Sequence, residues 1–106
     1  MYNCPVCGFS ELDQLPFSEF LYNSSIYLVT PPYFISFGKP SYEVCICCGF
    51  EFGNDDNPGT STPISFEGYY KEWVEDGCKW FEDNMRPKNW DHMTQKNLFL
   101  NKLRGN

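Results

Sequence analysis

Cys4-Pro-Val-Cys7-Gly8-Phe9 and Cys45-Ile-Cys-Cys48-Gly49-Phe50 repeat one pattern, with 37 residues between Cys7 and Cys45. In each stretch the two-residue spacing lets the chain curl until both sulfurs face one point. The glycine after the second cysteine permits the positive φ that such a turn needs. Two of these knuckles supply four soft ligands in a tetrahedral set closed against water, the arrangement of a structural zinc site. Cys4, Cys7, Cys45 and Cys48 are therefore the expected metal ligands, and structural Zn2+ is the expected cofactor. The long gap leaves room for a hairpin or an excursion.

The other two cysteines read as spectators. Cys47 could replace Cys45 or Cys48 only by spoiling the spacing, so it reads as a small apolar filler beside the knuckle, and Cys78 as a filler on a helix. Iron in the same cage would make a rubredoxin-like electron carrier, the alternative function, because the ligand geometry suits both metals. Iron–sulfur clusters use other spacings. A disulfide oxidoreductase would need a thioredoxin-like pattern that is absent. A zinc deaminase requires a His-x-Glu partner, and His92, the single histidine, is followed by Met93. The run Asn54-Asp-Asp-Asn57 lacks the spacing and terminal Glu of a calcium loop and reads as an acidic turn. No nucleophile–base set or phosphate-binding glycine loop is present, so the chain is expected not to be an enzyme.

At 106 residues the chain is expected to form one domain, 1–106. It carries no apolar run of bilayer length and no signal-peptide pattern at Met1 to Cys7, so a cytoplasmic protein with reduced thiols and no membrane association is expected. Rings make up 19% of the residues, a way for a small domain to bury much area with few side chains. Residues 1–85 carry thirteen acidic side chains against three lysines, a balance of −10, whereas residues 86–106 balance at +4. Four thiolates on a divalent ion add about −2 to the first part. That surface repels phosphate backbones, which argues against nucleic acid and for a basic protein partner.

Between the knuckles, an aromatic insertion at about 15–40 holds Ile26-Tyr-Leu-Val29 and Tyr33-Phe-Ile-Ser-Phe37, which read as short strands around Pro31-Pro32. Ser41 to Ile46 reads as a third strand. A long amphipathic helix is predicted at about 65–84, with Ser65 as N-cap. Phe66, Tyr69, Tyr70, Trp73, Val74, Trp80 and Phe81 recur along it at spacings of three and four, and Gly77 weakens its middle. A shorter helix is predicted at about 91–102 with Asp91 as N-cap and an exposed His92 in its first turn.

The paired knuckles, with Tyr42-Glu-Val before the second one and Tyr70-Lys-Glu-Trp73, Gly77, Trp80-Phe81 and Asn89-Trp90-Asp91 after it, resemble the CPCC-type family of small bacterial cysteine-rich proteins, named for a Cys-Pro-Cys-Cys motif. Cys47 would be the motif's third cysteine, and Ile46 stands where that family has proline; residues 15–40 lie outside the likeness. The resemblance implies a zinc-ribbon-like fold without an established activity, and by analogy an immunity or accessory role beside secreted toxins. The expected fold class is thus α+β: a small zinc ribbon with short antiparallel strands, one long amphipathic helix and a short C-terminal helix. The expected function is a non-enzymatic zinc protein acting through protein–protein interaction, an adaptor or immunity-type protein for a cationic partner.

Overall fold

Each knuckle closes through two backbone hydrogen bonds in the computed structural model, which describes residues 1–105. Cys4 N donates to Phe9 O (2.7 Å) and Gly8 N to Cys4 O (2.9 Å); Cys45 N donates to Phe50 O (3.0 Å) and Gly49 N to Cys45 O (2.8 Å). One antiparallel bridge flanks each turn, Tyr2 with Leu12 and Val44 with Glu51, and a third joins Phe17 to Pro40. No bridge grows into a ladder.

The zinc ribbon with antiparallel strands is therefore corrected: among the described residues there is no β-strand. Side chains take the amides that a neighbouring strand would have taken. The Glu43 carboxylate accepts from both Asp13 N and Gln14 N (2.8 Å each), just past the first bridge. Asn23 accepts from Ser25 N (2.9 Å) and so caps a 3₁₀ turn over Ser24–Leu28, where a strand was expected. The segment read as a strand at Tyr33–Phe37 is a single helical turn, α1 (Phe34–Phe37), with Phe37 N donating to Tyr33 O. A strand would have put Tyr33, Ile35 and Phe37 on one face. The turn buries Tyr33 and Phe37 and leaves Ile35 72% exposed.

The predicted long helix ends early. Ser65 caps α2 (Phe66–Glu75) as expected, its Oγ accepting from Gly68 N at 3.0 Å. Gly77 closes that helix rather than interrupting it. Its N donates to Val74 O and Cys78 N donates to Trp73 O, the two-bond C-terminal closure in which glycine follows the cap residue. Beyond it Trp80 and Phe81 leave the helical path. Phe81 N and Glu82 N donate to Cys47 O and Ile46 O, which lays the segment along the second knuckle before a 3₁₀ turn at Asp83–Met85. The last helix, α3 (His92–Gly105), starts with Asp91 accepting from Thr94 N (2.9 Å) and runs past the expected Lys102.

Aromatic rings make the core. Phe17 lies within 6.3 Å, centroid to centroid, of Phe20, Tyr33, Phe37 and Phe52, and Tyr33 stacks on Phe66 at 3.8 Å. Tyr33 OH also accepts from Phe66 N (3.0 Å) at the start of α2. The aromatic segment is thus the core under α2, not an appendage. Asp56 is fully buried beside it and accepts from Tyr33 N (3.1 Å) and Gly53 N (2.7 Å). No helix among the described residues is long and apolar enough to cross a membrane.

The cap on α2 yields a modest prediction. Ser65→Ala should cost about 1 kcal/mol and lower the thermal midpoint by roughly 4–8 °C, with Ser65→Asp keeping most of the stability. Thermal denaturation checks it; an unchanged midpoint for the alanine variant would remove the cap from the account.

Candidate metal centre

The two knuckles meet face to face and bring Cys4, Cys7, Cys45 and Cys48 together, with all four Sγ atoms within 4.8 Å of one another. Across the knuckles, Sγ of Cys4 and Cys48 lie 3.8 Å apart, as do Sγ of Cys7 and Cys45. Four sulfurs each about 2.3 Å from a central ion stand about 3.8 Å apart at the corners of a regular tetrahedron. A disulfide needs about 2.05 Å, and all six cysteines are free thiols. The four are exposed by 4% or less. The donor set therefore fits a four-coordinate thiophilic cation and could hold one.

Close approach explains the glycines. Gly8 (φ 86°) and Gly49 (φ 83°) both adopt the left-handed conformation that favours glycine. A Cβ on Gly8 would also lie 2.8 Å from Gln95 O, so α3 packs directly on the first turn.

Cys7 and Cys48 compete for a proton. Burial pushes the Cys48 thiol well up, and hydrogen bonds with Cys4, Cys45 and Cys7 add to the effect. At Cys7 burial also pushes upward, but donors at Cys4, Cys47 and Cys48 outweigh it and bring the group down to about 6. The Cys7 thiolate is stabilised at the expense of Cys48. A divalent cation held by Cys4, Cys7, Cys45 and Cys48 would bind them as thiolates and supply the compensating charge.

The knuckle carbonyls are held from outside by side chains of α2, α3 and the 3₁₀ turn at Ser24–Leu28. Lys96, only 9% exposed, donates from Nζ to Val6 O (2.6 Å), Pro5 O (3.3 Å) and Tyr27 OH (3.2 Å). Its Nζ also lies 5.0 Å and 4.7 Å from the ring centroids of Tyr27 and Tyr70. Burial lowers the lysine's pKa, opposed by Cys4 and Cys7. Tyr27 OH donates to Pro5 O (2.7 Å) and Tyr69 OH to Cys48 O (3.0 Å). Gln95 Nε2 donates to Cys7 O (3.1 Å), while Gln95 Oε1 accepts from Trp90 Nε1 (3.0 Å). Such contacts fix the peptides that carry the ligands.

The remaining candidates fall outside the cluster. Cys47 is buried with Gln95 Nε2 3.5 Å from its sulfur, and its thiol is pushed up by the Cys7 contact and by burial. Cys78 is buried just past α2. His92 is half-buried rather than exposed, with its Nδ1 2.8 Å from Tyr70 OH. Asp55 accepts from Glu51 N (2.7 Å), so like Asp56 it closes the acidic turn on its own backbone. Spacing rules offered no signal for Lys96, Gln95, Tyr27 or Tyr69, which are single residues from distant segments.

No family model matches the chain, and no solved structure matches it. The chain is similar to two proteins of Bacillus subtilis (strain 168). It is 28% identical over 86 residues to "Uncharacterized protein YoaQ", covering 72% of this chain and 59% of that one. It is 29% identical over 89 residues to "Uncharacterized protein YozI", covering 74% and 61%. The chain thus spans about three fifths of the length of these curated relatives.

Proposed function

We propose that this is a non-enzymatic protein scaffolded by one structural zinc ion on Cys4, Cys7, Cys45 and Cys48, acting by binding a basic protein partner. The observation that carries the metal assignment is the buried set of four thiols within 4.8 Å of one another, two pairs of them at the 3.8 Å of a tetrahedral site. Four protein ligands leave no open position for substrate or water, the distinction between a scaffold site and a catalytic one. The ion would supply charge neutralisation and cross-linking of the two knuckles; binding surfaces lie elsewhere. The balance of −10 over residues 1–85 supports a cationic partner. An adaptor or immunity-type role, membership of the CPCC-type proteins and a cytoplasmic setting belong to the same proposal.

Elemental analysis of natively purified protein is expected to give one zinc per chain in a colourless solution. A red protein with thiolate-to-iron absorption would replace this reading with the electron carrier. For the partner, affinity purification from the native cell is expected to retain a basic protein that elutes as salt rises. No salt-sensitive protein in that experiment would sink the binding role.

A further inference from the structure

A small cleft opens where the two knuckles and the segment after α2 meet. Its volume is about 300 Å³. Phe9, which follows the first knuckle, and Ile46, inside the second, are its buried and half-buried apolar surface. Met85, 52% exposed, adds a flexible apolar side chain, as does Met1. Around them stand the carboxylates of Glu11, Asp13, Glu43 and Glu82, and among the described residues no lysine or arginine lines the cleft.

The Glu43 carboxylate and the backbone of Glu82 are fixed before any ligand arrives. Both oxygens of Glu43 are held by Asp13 N and Gln14 N. Glu82 is placed by its own N–H on Ile46 O, beside Phe81 N on Cys47 O. Glu43 lies two residues before the second knuckle and Glu82 is bonded to it, so one turn places both residues. Clefts that enclose small ligands run from about 300 to 1,000 Å³; this open one sits at the lower limit, sized for side chains. An apolar floor inside a ring of negative charge suits the long stem of lysine or arginine, which buries methylenes and presents its cation at the rim. Methionine adapts to such stems. By contrast Glu67, Glu72 and Glu75 on α2 are exposed charges that line no such cleft.

We infer that this cleft seats a basic segment of a protein partner, lysine or arginine side chains flanked by apolar ones. It is the docking surface for the partner proposed above, and the inference rests on that reading.

The test is an amide-resolved NMR titration of the full-length, metal-loaded chain with a synthetic peptide of alternating arginine and leucine at low salt. A glutamate–leucine peptide of equal length serves as control. The amides of Glu11, Asp13, Ile46 and Glu82 are expected to shift with the arginine peptide alone. Affinity should fall roughly tenfold between low and physiological salt, and by a similar factor in Glu11→Lys/Glu82→Lys. Both replaced side chains are exposed, and an otherwise unchanged spectrum reports that the variant is folded. Shifts confined to Glu67, Glu72 and Glu75 would overturn the cleft and leave the basic-partner reading standing. Absence of any shift at low salt would overturn both. Concentration-dependent shifts of the cleft amides without peptide would assign it to a second copy of this chain, and overturn the inference.

Discussion

Cys45→Ser is expected to abolish the fold, not merely weaken it. A structural zinc site contributes about 10–16 kcal/mol at neutral pH, while a domain of this size has a net stability of about 5–15 kcal/mol. A hydroxyl does not replace a thiolate on a soft ion, so the variant should purify without stoichiometric metal. It should lose the far-ultraviolet signal of α2 and α3 and the near-ultraviolet signal of the packed rings together. The loss reaches the helices because α3 is docked on the first knuckle through Gln95 and Lys96, and α2 on the second through Tyr69. Cys47→Ala and Cys78→Ala should both keep one metal per chain, since neither sulfur belongs to the cluster of four. A Cys45→Ser protein that keeps its metal and its helices would overturn the structural role. Metal loss in Cys47→Ala would move the ligand set.

What could be read from sequence included units decided within six residues. Each knuckle is such a unit: the spacing of its cysteines and the conformation of its glycine are local, and so is the cap at Ser65. The strands failed because strand formation is a contest for amides, and the competitors lie far away or on unremarkable residues. Glu43 reaches back thirty positions to Asp13 N. Pattern alone does not reveal that a glutamate will take the place of a strand. The helix end at Gly77 failed differently. Trp80 and Phe81 continue the spacing of three and four by coincidence, and they pack on other elements. Trp80 meets Phe9 at 5.8 Å and Trp90 at 5.3 Å. Gly77 itself, at φ 100°, was the available local signal for the helix end. Asp56 shows the third kind of failure. Its run of acidic and amide residues reads as solvent-exposed, yet its carboxylate is enclosed because the buried Tyr33 amide and the half-buried Gly53 amide need an acceptor.

Lys96 is the sharpest of these cases, because the sequence counts it merely as one charge of a basic tail. Lys96→Met is expected to destabilise the metal-loaded protein by about 2–4 kcal/mol and to speed removal of the metal by a chelator. Two effects oppose each other here. Methionine nearly matches the lysine in length and volume and removes the desolvation cost of a buried cation, a change that elsewhere can be neutral or stabilising. Against it, Val6 O loses its 2.6 Å donor and Pro5 O keeps only Tyr27 OH. A buried carbonyl left without a donor costs about 1–3 kcal/mol. The variant also withdraws the buried cation beside a cluster that would carry about −2 when four thiolates hold a divalent ion. The loss should dominate because Lys96 is held by three oxygens and two rings at once, so its burial is already compensated. Thermal denaturation and chelator-competition rates read the two consequences separately. A variant with lower stability but unchanged metal release would make Lys96 a packing residue of α3 alone. A variant at least as stable as the parent would show that the desolvation cost wins, and that the knuckle peptides hold their ligands without help from the lysine.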